Sequence, residues 1–213
     1  MSSARPSNYG AGQRLFEGAA IAVFVLLATV GLWRLLGASG PALFLALVLV
    51  AAPCAWLAAD LLSGLLHLAF DSWGGVRTPL IGQAFIRPFR AHHVDPREMT
   101  RHGFIETNGA SCLACLPVLA TACLMPLEST PSMLLQALLL FICLGALATN
   151  QCHKWAHMDA SDTPHWVRWA QRRGLVLPRE HHRLHHTAPF DTHFCMSSGW
   201  LNAPLNALLR AWR

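Results

Sequence analysis

Four long apolar runs limit how this chain can fold. They cover about residues 18–36, 41–70, 110–127 and 133–151, and a helix needs about 20 apolar residues to cross the hydrocarbon core of a bilayer. Inside lipid every backbone N–H and C=O must find its partner within the segment, so each run reads as a helix. Arg34 alone interrupts the first run, near its end. The second is longer than a span requires and is expected to protrude from the bilayer as a continuous helix. Composition agrees: 13% of the residues are charged and 54% hydrophobic, where a soluble domain carries about 25% charged residues. The first apolar core also exceeds the ~7–15 residues of a signal-peptide core, so it reads as a retained helix. The expected architecture is all-α, an integral membrane four-helix bundle. It forms one domain over residues 15–213 behind a mobile tail of residues 1–14.

Charge orients the bundle. Four spans place both termini on one side, and all 12 histidines fall there too. Of the 16 Lys and Arg residues, only Arg34 belongs to the opposite side. The positive-inside rule assigns the basic side to the cytoplasm, as in a multi-pass protein of a bacterial inner membrane. The net charge of +5 then reads as topology and attraction to anionic headgroups. No nucleic-acid module accompanies it. Cys54, Cys112, Cys123 and Cys143 lie inside the apolar runs and read as packing residues. The Cys112–Cys115 spacing lacks the second pair that a zinc site would need.

The histidines gather in three polar islands. Imidazole is the commonest metal ligand and suits iron, zinc or copper. Near the end of the second run, Asp60, Gly64, His67 and Asp71 are spaced four, three and four apart, one stripe of a helix. His67 is a candidate ligand and Asp71 the carboxylate expected to orient its ring. Asp60 reads equally well as an ion-pair partner for another helix, and Gly64 as a point of close approach. Beyond lie His92 and His93, then Asp95-Pro96-Arg97-Glu98, a pattern that predicts an N-capped helix. His102 would lie two turns into it, with Glu106 on the same face. Arg87 and Arg90 suit a lipid phosphate or serve as plain topology signals. Asn150, His153 and His157 form a second stripe, and His182, His185 and His186 a third. Thr163-Pro164 opens a short amphipathic helix whose Trp166, Trp169 and arginines suit the headgroup layer. His165 belongs to that helix and His181 points away from its neighbours, so neither is expected to bind metal. His193 is ambiguous. The pool is nine imidazoles: His67, His92, His93, His102, His153, His157, His182, His185 and His186. One ion cannot use so many, and two are expected.

Six stretches carry a family resemblance. They are Asp60-Leu-Leu-Ser-Gly-Leu-Leu-His67, Phe85 to Pro96, Thr100 to Gly109, Asn150-Gln-Cys-His-Lys-Trp-Ala-His-Met158, Leu177 to His186 and Phe194-Cys195. Together they resemble the Kua or CarF-like lipid desaturases, whose members include plasmanylethanolamine desaturases and a plant plastid desaturase. Arg183-Leu-His-His186 and Ser198-Gly-Trp-Leu-Asn202 look closer to the plasmanyl branch. The resemblance implies a di-iron centre held by the nine histidines, with Asp71, Asn150 and Glu106 as supporting hydrogen-bond partners. It implies an ether phospholipid substrate, desaturated beside the ether oxygen with O2. The chain has no flavin or haem motif, so a separate electron donor of cytochrome b5 or ferredoxin type is expected. A different membrane di-iron desaturase or hydroxylase, and a non-enzymatic metal-binding regulator, are the competing classes. A metal transporter would hold its ligands near the bilayer midplane, whereas these sit at helix ends.

Overall fold

The computed structural model describes residues 9–79, 81–82 and 86–212. Residues 1–8 of the expected tail lie outside that range. Among the described residues every regular element is helical. Seven α-helices run in order: α1 Ala11–Ser72, α2 Arg87–Val94, α3 Phe104–Leu124, α4 Thr130–His157, α5 His165–Arg172, α6 Arg179–His185 and α7 Asn202–Ala211. A 3-10 turn, Glu98–Arg101, stands between α2 and α3. The first helix starts at Ala11, so residues 11–14 of the expected tail are helical.

Three described helices, α1, α3 and α4, are long and apolar enough to cross a membrane. The first contains two apolar runs, and Gly40 divides them. Its φ of 70° and ψ of 167° fall in a region essentially reserved for glycine, and Pro41 restarts the helix where its missing N–H does no harm. Residues on both sides of this break pack on α4. Leu35 and Leu47 share a buried cluster with Met133 and Ala137. Phe24 meets Leu119, Leu140 and Cys143 in another. Arg34 donates to the carbonyl of Met125 at 3.1 Å, the residue that ends α3, far along that helix from the histidines. The outer faces stay apolar: Val25, Leu26, Leu45, Leu49, Leu62 and Leu65 are all exposed, as lipid-facing positions should be.

Small residues allow the helices to close on one another. A Cβ added at Gly145 would lie 2.8 Å from Cβ of Ala59, and one at Gly31 would lie 2.6 Å from Leu140. Such close approach is how apolar helices gain packing when lipid offers no hydrophobic drive. Gly145→Leu should therefore overpack the α1–α4 seam and cost about 1–3 kcal/mol. Gly37→Leu, where an added Cβ meets nothing within 4 Å, should behave like the parent. Thermal unfolding in one detergent compares them, and equal midpoints would contradict this packing.

Candidate metal centre

The stripes on α1 and α4 form as their spacing predicts, and they deliver imidazoles to one end of the helices. Four elements meet there. α1 supplies His67 and Asp71, α2 supplies His92 and His93, α4 supplies His153 and His157, and α6 with its cap supplies His182, His185 and His186. The donors divide into two groups. One contains His92, His153, His157, His182 and His186, the other His67, Asp71, His93 and His185, and within each group the donor atoms all lie within 4.8 Å of one another. α1 feeds only the second group and α4 only the first. α2 and α6 bridge them, because consecutive residues on a helix diverge by about 100°. His92 and His93 thus go opposite ways, as do His185 and His186. Sequence spacing placed His182, His185 and His186 on one face; the structure sends His185 to the other group.

The distances suit shared ions. In the second group Asp71 Oδ2 lies 3.1 Å from His93 Nε2, 3.4 Å from His67 Nε2 and 3.5 Å from His185 Nε2. His185 Nε2 and His67 Nε2 are 3.1 Å apart. Donors about 2.0–2.1 Å from a tetrahedral ion stand about 3.3 Å from one another, and these four spacings are close to that. In the first group His182 Nε2 lies 3.0 Å from His153 Nε2, 2.7 Å from His157 Nε2 and 3.1 Å from His186 Nε2. One Nε2 cannot satisfy three others by hydrogen bonding, since a neutral imidazole has a single proton to share. Two further buried atoms, His92 Nε2 and Asp71 Oδ1, have no hydrogen-bond partner at all. A cation at each group would meet those lone pairs.

Burial keeps three of these imidazoles in the ligating form. Burial, reinforced by His157 and His93, pushes His92 down to about 3. Burial and the neighbouring His92 and His185 do the same to His186, also to about 3. His182 is driven well below its usual value by burial and by His157. At neutral pH these rings are uncharged and present a lone pair, which is what a metal requires. One tautomer is fixed outright. His185 Nδ1 lies 2.9 Å from the carbonyl of Thr192; a carbonyl can only accept, so Nδ1 carries the proton and Nε2 is left free.

Other expected residues sit elsewhere. His102 joins neither group. The helix predicted from Asp95 does not form: Asp95 closes α2 and pairs with Arg101 at 2.9 Å, Glu98–Arg101 is a 3-10 turn, and His102 is extended at its end. Its ring faces Glu106 at 3.6 Å, while its carbonyl accepts from Lys154. Asn150 reaches no histidine. Its amide donates to the Thr107 carbonyl at 3.0 Å and to Ser111 Oγ at 2.7 Å, tying α4 to α3. Arg90 spends its donors on the carbonyls of Phe70, Trp73 and Gly74 at the end of α1, where a cation suits the helix dipole. Arg87 stands exposed at the start of α2. His165 is exposed on α5 beside Arg168, 2.6 Å away, and Trp166 and Trp169 are exposed there. His181 stacks edge-on with His193, outside both groups.

The spacing left Asp60 open between a place in the site and an ion pair with another helix, and the structure gives it a different occupation. Its carboxylate is fully buried and accepts from the backbone N–H groups of Ser197, Ser198, Gly199 and Leu201 at 2.8–3.1 Å. Gly199 at φ 75° turns successive amides inward, the nest geometry that holds anions. Charge-assisted bonds of this kind are each worth about 1.5–3 kcal/mol. They lash the segment after Cys195 to α1, and Gly64 permits it: an added Cβ there would lie 2.6 Å from Cys195 Sγ. That segment continues from Thr192, whose carbonyl orients His185. The signal was present as Ser197-Ser198-Gly199, a run of small residues able to turn its amides one way.

The helices and the two donor groups at their shared end define a membrane-type helical protein built around a histidine-rich site that could hold metal ions. Residues 56–213 match the lipid desaturase domain, and the chain belongs to that family. Desaturation removes two hydrogens from a substrate, so the family is one of oxidoreductases. The chain is 43% identical over 200 residues to a plasmanylethanolamine desaturase of Myxococcus xanthus, covering 93% of this chain and 69% of that protein. It is 44% identical over 172 residues to plasmanylethanolamine desaturase 1 of Mus musculus, covering 78% of this chain and 63% of the relative. Against the chloroplastic fatty acid desaturase 4 of Arabidopsis thaliana the identity is 33% over 149 residues, 69% of this chain and 44% of the relative. No solved structure matches.

The position of Asp71 among the donors, rather than behind one ring, makes a sharp prediction. Asp71→Asn should remove one bound metal as completely as His67→Ala does, because both open the same group. Elemental analysis of the two purified variants checks it. Full metal content in Asp71→Asn with lowered activity would return Asp71 to the role of a hydrogen-bond partner.

Proposed function

We propose that this protein is a membrane di-iron desaturase that converts 1-O-alkyl (plasmanyl) phospholipids into the vinyl ethers of plasmalogens. The observation that carries this reading is the pair of adjacent donor groups, eight imidazoles and one carboxylate, in a chain closely similar to two plasmanylethanolamine desaturases. One ion is assigned to His67, Asp71, His93 and His185, the other to His92, His153, His157, His182 and His186. Bound iron would supply the activation of O2 that no side chain can provide. Neither group reaches six donors, so room remains for oxygen.

The balance of the reaction sets what else is needed. An –O–CH2–CH2– unit becomes –O–CH=CH– and gives up two hydrogens with two electrons. O2 takes those, together with two electrons and two protons from outside, and leaves as two waters. The second electron pair comes from a separate carrier, of cytochrome b5 or ferredoxin type. The protein's own share is to hold the lipid, keep its imidazoles neutral and limit water around the reacting carbons. With α1 counted as two spans about Gly40, four apolar helices bring both termini and the site to one face. The basic residues on that face assign it to the cytoplasm, where a soluble donor can reach it. Trp166 and Trp169 on α5 would rest in the headgroup layer.

The chloroplastic relative favours a second reading, desaturation of an acyl chain. Expression in a host that makes alkyl ether lipids but no plasmalogens separates the two. Mass spectrometry should show alkyl phospholipids lighter by about two mass units and cleaved by acid, as vinyl ethers are. Unsaturation confined to acyl chains, or addition of oxygen, would contradict the ether assignment.

A further inference from the structure

Three cavities open on the donor groups, and they differ in what they touch. One, lined by Arg97, Arg179 and Arg183, reaches only His157, His182 and His186 of the first group. Another, beside Arg90 and Phe190, reaches only Asp71 and His93 of the second. The remaining cavity is bordered by His67 from one group and by His92 and His153 from the other. A substrate that must meet the residues of both groups, where iron would supply the oxidising chemistry, can do so only in this cavity among the three.

Its other walls suit a particular piece of lipid. Phe89 and Met99 give it an apolar side, and Glu106, Thr107 and Asn150 come from the facing ends of α3 and α4. Its volume is ≈ 200 Å³, below the ~300–1,000 Å³ of pockets that enclose a whole drug-sized ligand. It therefore takes a segment of a lipid rather than the molecule. An ether oxygen beside the reacting carbons can only accept a hydrogen bond. Asn150 has no donor to offer, for its amide is already committed to Thr107 and Ser111. The Thr107 hydroxyl donates to the Gly103 carbonyl at 3.0 Å. His102 is different: its Nε2 stands 3.6 Å from Glu106, too far for a hydrogen bond, and its side chain is 28% exposed.

We propose that this cavity seats the first carbons of the alkyl chain of a saturated 1-O-alkyl phospholipid, with His102 donating to the ether oxygen. The inference rests on the desaturase reading above. It assigns His102 to substrate rather than to metal, and it makes Thr107 the wall residue whose bulk limits entry. Bound this way, the two carbons next to the ether oxygen lie against imidazoles of both groups. The rest of the chain runs out between α3, α4 and the apolar side.

The test uses the purified iron-loaded protein in detergent with a 1-O-alkyl-2-acyl-glycerophosphoethanolamine as probe. Native mass spectrometry reads bound lipid, elemental analysis reads metal, and turnover gives KM and kcat. His102→Leu should keep the parent's metal content while raising the lipid half-saturation and KM about 10-fold, the loss of one hydrogen bond to substrate. His102→Gln, which retains an N–H donor, should recover part of that loss. Thr107→Phe should keep metal and lose the lipid adduct. Metal loss in His102→Leu would overturn the proposal by making His102 a ligand, and so would unchanged lipid binding in both His102→Leu and Thr107→Phe. Parent protein that binds lipid and metal but forms no vinyl ether would overturn the desaturase reading, with the cavity judged separately by its binding data.

Discussion

Burying eight imidazoles and a carboxylate edge to edge costs free energy, and the rest of the structure is arranged around that cost. Burial, reinforced by neighbouring rings, holds His92 and His186 neutral, both pushed down to about 3. Neutral rings still carry lone pairs, and several of these point at one another rather than at donors. Buried polar atoms left unmatched are expensive. A cation at the centre of each group would turn the same geometry from a penalty into binding energy, and metal binding to such a site is also folding energy. The apolar helices supply a rigid frame; the ions would supply the reason for the frame's polar end to close.

Two kinds of element make that end. α1 and α4 are long and fixed by packing against each other and against α3, so His67, Asp71, His153 and His157 stand on firm ground. α2 and α6 are short, at 8 and 7 residues, and short helices have little stability of their own. Each is held by what it bridges. α6 gains a further tether through Thr192 and the segment that follows, which Asp60 grips by four backbone amides. A charge placed inside an apolar helix thus serves as an anchor for the C-terminal chain, and its full burial is tolerable because every bond it needs is made.

Much of this was legible in the sequence, and the failures have physical causes. Helix periodicity gave the stripes on α1 and α4, since 3.6-residue spacing is a local property. The Gly40-Pro41 break lay between two apolar runs that the sequence already separated. What spacing could not give is which neighbour a side chain meets. His182, His185 and His186 share a helix face yet serve different groups, because α6 lies between two others. Asp71 was read beside His67 because only that ring was in sequence reach, and the fold brings His93 and His185 to the same oxygen as well. The capping pattern at Asp95 was overridden when Asp95 closed α2 and paired with Arg101, and His102 moved away with it. Asp60 was ambiguous for the same reason as Asp71: its partners lie more than 130 residues away, and they are backbone atoms that no composition reveals.

The central claim is that two ions, one per donor group, occupy this site. Elemental analysis of protein made with iron supplied and purified gently without chelators tests it directly. The account predicts close to two iron atoms per chain. One zinc per chain, or no metal, would contradict it.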